Sequence, residues 1–394
     1  MLGWLVMVRD LIDEICRDIG PRATGSAAEA AAAELLGRRL ESWGLTPTVE
    51  RFRVASRAFQ GLLATLTGGY LLALATYFVC PLGTLTLLGL VLVVLLAHGL
   101  LDLDLPALIL PKSGSANVHG RVAPAVERRR TVLFAGHHDS AFRQPLLARS
   151  ALFAWLEAMV LGLVAAFLLL LGLALWRTVA PPVAGRPVWE LVALVGCGLG
   201  GTFALAILGG MIRRDAVPGA NDNLSAVATA WEVARRLAQA PPQHVEVRVV
   251  SFGSEEAAIK GSREFVFRHH EELRDAVLVN LESLGQSGRL FVLTGEVLAG
   301  TRHSDRAVRL VEDAARDAGI PLRSKRLVNG LTDAASFSRR GFPATTVIRL
   351  NAKGFLDHYH SPGDSPEHVV EEHLEEAVRL CLAVVERLDR EPSA

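Results

Sequence analysis

Cysteine is sparse in this chain, with four among 394 residues. Cys16, Cys80, Cys197 and Cys381 show no paired spacing, and two of them fall inside or beside long apolar runs. That excludes a disulfide framework or a structural zinc knuckle. Net charge is also missing, because 41 Lys and Arg balance 41 Asp and Glu. A nucleic-acid binder needs a basic footprint, so no nucleic-acid partner is expected. The opening MLGWLVMVRDLIDEICRDIG has too short an apolar run and too many early acids for a secretory signal. Internal repeats and low-complexity tracts are absent apart from an Ala-rich stretch near residue 30.

Hydrophobic sequence, by contrast, is abundant. Apolar residues make up 51% of the chain, and the mean hydropathy of +0.32 is high for a soluble enzyme. The excess sits in four runs, Leu62 to Val79, Leu82 to Leu101, Ala158 to Trp176 and Leu191 to Ile212. Each is close to the roughly 20 residues that cross a bilayer as a helix. Buried core helices are the alternative, but these seldom stay apolar on every face over such lengths. Pro81 and Gly83 break the first pair of runs and RTVAPPVAGRPV breaks the second, so two transmembrane hairpins are expected. Arg51, Arg53, Arg57, Lys112, Arg143, Arg149, Arg213 and Arg214 flank the outer ends, while the turns carry only Arg177 and Arg186. The positive-inside rule then predicts an integral protein of the cell membrane with its polar parts in the cytoplasm and the bilayer as a partner.

Five segments follow: 1–58, 105–148 and 213–394 as pieces of one polar domain, with hairpins at 59–104 and 149–212. In the polar pieces, SAAE at Ser26 to Glu29 resembles a capping box opening a helix that stops at Gly44. TPTVERFRV, TVLFA, VEVRVVSF, AVLVNL, RLFVLTG and ATTVIRL read as strands, separated by helical stretches such as LSAVATAWEVARRLAQ. The expected fold class is α/β, a mixed central sheet flanked by helices, with four transmembrane helices inserted.

In such sheets functional groups gather at the carboxyl ends of strands. TVLFA runs into GHHDS, VEVRVVSF into GSEE, and AVLVNL into ESLG. Two further polar segments are PGANDNLSAVA at 218–228 and the HYHSPGDSPEH loop. Each has an ordinary reading by itself: Asn221 or Asp222 as a helix cap, paired acids as a solvated face, and Pro-Gly as turn chemistry. Strand alternation puts His137 and Asp139 on one face and His138 on the other.

Taken in order, H-x-D, G-A-N-D-N, E-E, N-L-E and Y-H-S-x-x-D resemble metallopeptidase family twenty-eight, the dizinc aminopeptidases and glutamate carboxypeptidase-like enzymes. The resemblance runs from IGPRATGS through YHSPGDS and skips the hairpins. It implies two zinc ions per chain, held by His137, Asp222, Glu256, Glu282 and His360, with Asp222 bridging. Glu256 and His360 would hold one ion and His137 and Glu282 the other. By the same resemblance Asp139 orients His137, and Glu255 is the general base.

This chain departs from the family at three points. Ala334 replaces a histidine in TDAASF, Glu282 stands where aspartate is common, and no tyrosine is assigned to the oxyanion. The three tyrosines are Tyr70 and Tyr77, which lie in apolar runs, and Tyr359, and the oxyanion donor is unidentified. Arg302 and His303 are the alternative candidates for that donor, although both read better as surface residues. The implied activity is removal of N-terminal residues from peptides. Hydrolysis of a small or lipid-linked amide and a noncatalytic scaffold stand as alternatives, and the oligomeric state is open.

Overall fold

The computed structural model describes residues 2–101, 103–179 and 186–390; the middle of the second hairpin's connection, 180–185, lies outside the described residues. The chain forms two compact units. One joins Met1–Ser56, Lys112–Phe142 and Ala216–Ala394, and the other joins Arg57–Pro111 and Arg143–Asp215. The short 3-10 turns Leu105–Leu108 and Pro145–Leu147 fall within the second unit, so each excursion is longer than its apolar runs.

In chain order the first unit opens with α1 (Leu2–Asp18), α2 (Ala27–Ser42) and β1 (Thr48–Val54). The hairpin α3 (Ala58–Thr76) and α4 (Pro81–Leu101) follows, then β2 (Ser113–Val122) and β3 (Arg130–His137). The second hairpin is α5 (Ser150–Val179) and α6 (Val188–Met211). The chain continues through α7 (Ser225–Gln239), β4 (Val245–Phe252), α8 (Lys260–Arg268), β5 (Ala276–Glu282), β6 (Arg289–Glu296) and β7 (Thr301–Arg302). It ends with α9 (Asp305–Asp317), β8 (Leu322–Leu327), α10 (Ala334–Ser338), β9 (Ala344–Leu350) and α11 (Glu371–Arg390).

The strands form one mixed sheet in the order β1-β2-β4-β3-β5-β9-β6-β7, with β8 pairing to β6. The centre β4-β3-β5-β9 is parallel, and β1-β2-β4 is antiparallel. Side-chain alternation sorts the core into two layers. Val132, Phe134, Val247, Val249, Val277 and Val279 pack under the layer of α1, α2, α7, α9 and α11, while Leu133, Ala135, Val250, Phe252 and Leu278 pack with Phe265 of α8 and Phe337 of α10. Burial on both faces explains why the central strands read as continuous apolar runs.

Three strands differ from expectation. β2 (SGSANVHGRV), β7 and the charged β8 (LRSKRL) were not anticipated. Glycine and polar residues obscure β2, whose pairing on both edges supplies what its own composition does not. α2 begins as the capping box predicts, with Ser26 Oγ accepting the Glu29 N–H at 3.1 Å, but it ends at Ser42 before Gly44 adopts φ +76°.

In the second unit all four helices are long and apolar enough to cross a membrane. They pack through Tyr70, Ala73, Tyr77, Leu88, Ala166, Leu170, Leu173 and Cys197. Hydroxyls are satisfied internally: Thr65 and Thr67 donate to the carbonyls four residues back, and Tyr70 Oη donates to Cys197 O at 2.7 Å. All four cysteines are free.

Candidate metal centre

The parallel register sets strand ends side by side: His137 of β3 pairs with Phe252 of β4, and Glu282 closes β5. Between them the chain after Pro218 makes a tight turn at Ala220–Leu224 before α7. Gly219 enters it at φ +63°, a conformation that suits glycine. Gly136 lets this turn sit against β3, since a Cβ there would lie 2.7 Å from the Ala226 Cβ. The turn presents Asp222, with a cis peptide to Asn223. No side chain caps α7, so the capping alternative for Asn221 and Asp222 does not hold. Asn221 Oδ1 accepts the Gly285 N–H at 2.7 Å instead.

Asp222 stands between two histidines, with Oδ1 3.4 Å from His137 Nε2 and Oδ2 3.2 Å from His360 Nε2. His360 Nε2 is also 3.3 Å from Glu256 Oε1. His137, Asp222 and Glu282 form one group with metal-ligand spacing, and Asp222, Glu256 and His360 form another. The structure thus brings all five expected ligand residues together. Glu255 lies beside them, Oε2 3.7 Å from His137 Nε2. His138 takes no part: its Nδ1 turns to Ser251 Oγ at 2.8 Å, and burial pushes its pKa down to about 4.

Asp139 is wholly buried. Its Oδ1 lies 3.4 Å from His137 Nδ1 and accepts the Glu255 N–H at 3.0 Å, while Oδ2 accepts the Glu256 N–H at 3.2 Å and the Thr24 hydroxyl at 2.7 Å. One carboxylate therefore orients both the histidine and the loop carrying the paired glutamates.

Three further residues build the site, and sequence reading assigned them no such role. Buried Arg22 donates to the carbonyls of His138, Gly20, Pro218 and Gly219 at 2.7 to 2.9 Å. Asp364 accepts the N–H groups of Asn221 and Asp222 at 2.7 and 3.1 Å, and burial, then Asp222, pushes its pKa up to about 7. Glu29 reaches past its own helix to Gly25 N, Ser115 Oγ and Ser254 N. Burial, then Asp139, raises its pKa to about 8. Arg22 and Asp364 lay inside quoted motifs, but their partners are too far along the chain for spacing to reveal.

Electrostatics set the chemistry. Burial raises the pKa of Glu255 and Glu282 well above the usual range despite His137. Burial opposes charge on the histidines, yet Glu255 and neighbouring carboxylates raise His137, and Glu256 with Asp222 raises His360 to about 10. Tyr359, its ring centroid 3.9 Å from that of His360, is kept protonated by burial and then by Asp222, Glu256, Glu255 and Glu282. Tyr70 and Tyr77 are bonded within the helical unit. His303, read as a surface residue, is buried, with Nε2 3.2 Å from Glu296 Oε1 and Nδ1 2.9 Å from Ser338 Oγ; Arg302 is exposed and pairs with Asp305. Ala334 is buried against the α8 layer.

The site fits divalent metal. Its carboxylates outnumber its histidines in a buried space, and Glu256 Oε1 and His360 Nδ1 make no hydrogen bond among the described residues. Imidazole and carboxylate donors suit zinc.

Comparison with known proteins agrees. Residues 208–385 match the sequence model of peptidase family M28. It is 31% identical over 175 residues to aminopeptidase YwaD of Bacillus subtilis strain 168, a match spanning 43% of this chain and 37% of that protein's length. Its fold is similar to BSAP, a zinc aminopeptidase from Bacillus subtilis, at TM-score 0.60 and 17% identity over 99% of this chain and 97% of that one. It is also similar to a Porphyromonas gingivalis glutaminyl cyclase, at TM-score 0.57 and 14% identity over 98% of each chain.

Proposed function

We propose that this protein is a membrane-embedded dizinc aminopeptidase with its polar unit in the cytoplasm. The observation that carries the reading is Asp222, one carboxylate oxygen directed at each of two histidines. In this reading His137 and Glu282 would hold one ion and Glu256 and His360 the other, with Asp222 contributing to both. When bound, the ions supply Lewis-acid chemistry, polarising a scissile carbonyl and acidifying water.

Glu255 is then the general base. Its carboxylate is set beside His137, and its raised pKa suits accepting a proton from attacking water and returning it to the leaving amine. Asp139 keeps Glu255 and His137 in register. Tyr359, held protonated next to His360, is the hydrogen-bond donor for the developing oxyanion. The substrate is a short peptide or small amide with a free amine. The positive bias at the outer helix ends supports the cytoplasmic orientation.

The test uses detergent-purified protein and its Glu255→Ala variant, with metal content measured beside hydrolysis of aminoacyl, N-acyl and N-terminal glutaminyl substrates. Two metals in both proteins and release of N-terminal residues by the unmodified one alone are expected. Turnover of N-acyl amides only would replace the reading with a deacylase, and cyclisation of glutamine with a cyclase. Absence of both metal and turnover would make the chain a scaffold.

A further inference from the structure

A second set of imidazole and carboxylate donors lies on the β1 side of the sheet, unused by the peptidase reading. Glu50 of edge strand β1 pairs in register with Asn117 of β2. Two residues further along β2, His119 stands opposite Val250 of β4 and so shares the sheet face covered by α8. Its ring packs edge-on against Phe265 at 5.5 Å. His269 caps the end of α8, its N–H bonded to Phe265 O, and its ring meets His119 at 5.3 Å.

The three side chains converge from distant parts of the chain. Glu50 Oε1 is 2.9 Å from His269 Nε2 and 3.5 Å from His119 Nε2. One donor atom from each residue lies within 4.8 Å of the others. A tetrahedral zinc with bonds of about 2.0 to 2.1 Å sets its donors about 3.3 Å apart. The observed separations bracket that value, as do the 3.2 and 3.4 Å between Asp222 and its two histidines.

Hydrogen bonds within the cluster leave donors over. Glu50 Oε2 and His119 Nε2 are buried and make no hydrogen bond among the described residues. His269 also has the support a ligand histidine needs. Its other nitrogen, Nδ1, faces Glu272 Oε1 at 3.5 Å, and Glu272 Oε2 accepts from Arg248 at 2.5 Å. A carboxylate behind the imidazole fixes ring orientation and raises ligand basicity.

We infer that Glu50, His119 and His269 form a further divalent-cation site of the zinc type, a structural clip joining β1 and β2 to the end of α8. The other end of α8 starts just after the Glu255–Glu256 loop, and the Ile259 N–H bonds back to Glu255 O. The clip therefore steadies the helix on which that loop is anchored.

The test is metal stoichiometry of the full chain in detergent, stripped with a chelator and reloaded with zinc. His119→Gln and His269→Gln are each expected to bind one ion per chain fewer than unmodified protein, whatever the peptidase site holds. Thermal melts of the stripped proteins establish that the variants are folded. If either glutamine variant melts early, His269→Cys, which keeps a ligand, carries the test. Loaded with cobalt, it is expected to develop a thiolate-to-cobalt charge-transfer band absent from unmodified protein. Equal zinc content in unmodified protein and folded glutamine variants, or a His269→Cys protein without that band, overturns the site.

Discussion

The two units use the same apolar residues in opposite ways. In the sheet unit leucine and valine are turned inward, and the central strands β4 and β5 are buried along their length. In the helical unit they are also turned outward: Leu161 is 71% exposed and Val192 66%. Water would penalise such faces, whereas hydrocarbon accepts them. Polar groups follow the same division. The helical unit satisfies its hydroxyls within helices, while the sheet unit collects carboxylates and histidines at its strand ends. One unit turns apolar side chains outward and the other gathers residues able to hold a metal, so different perturbations should break them.

The largest expected effect is at the base. Glu255→Ala should lower kcat by about 10²- to 10⁴-fold with metal content unchanged, as read by steady-state kinetics beside metal analysis. A smaller loss is expected for Asp139→Asn, about 10- to 100-fold in activity or metal affinity, since one of the two N–H groups it now receives would lose its acceptor.

A pH profile sharpens the contrast. Glu29 has its pKa raised from 4.5 to about 8. The folded state keeps a proton that the unfolded chain releases, so stability falls as pH rises from about 4.5 to 8 and levels off above. Thermal melts of zinc-loaded protein should show a shallower decline for Glu29→Gln across that window, and an unchanged slope would refute the assignment.

A paired comparison ends on the smallest effect. Leu161→Arg should cost about 2.5 to 3.5 kcal/mol of membrane insertion if that face meets lipid. Phe267→Lys, at a position 77% exposed in the sheet unit, should change stability by no more than about 0.5 kcal/mol. An insertion assay finding the two substitutions equally benign would remove the lipid reading of α5.

Legibility differed by element. α3 to α6 were readable because lipid-length apolar runs need no partner to be recognised. The central strands were readable because burial on both faces leaves an uninterrupted apolar signature. β2 and β8 were not, since edge and Gly-rich strands take their conformation from neighbours. At the site, His137 and Asp139 announced themselves by adjacency, whereas Glu29 meets Ser254 across 225 positions. His303 read as a surface residue because nothing local reveals Glu296 and Ser338 closing around it.

By itself the sequence determined the division into apolar and polar segments, the strand and helix periodicities and the residue types able to bind metal, because each depends on composition or short spacing. Tertiary structure alone decided that Asp222 lies between His137 and His360, that Arg22 and Asp364 hold its turn, and that Glu50 meets two histidines. Those are distances between groups far apart in the chain, and only the register of the folded sheet sets them.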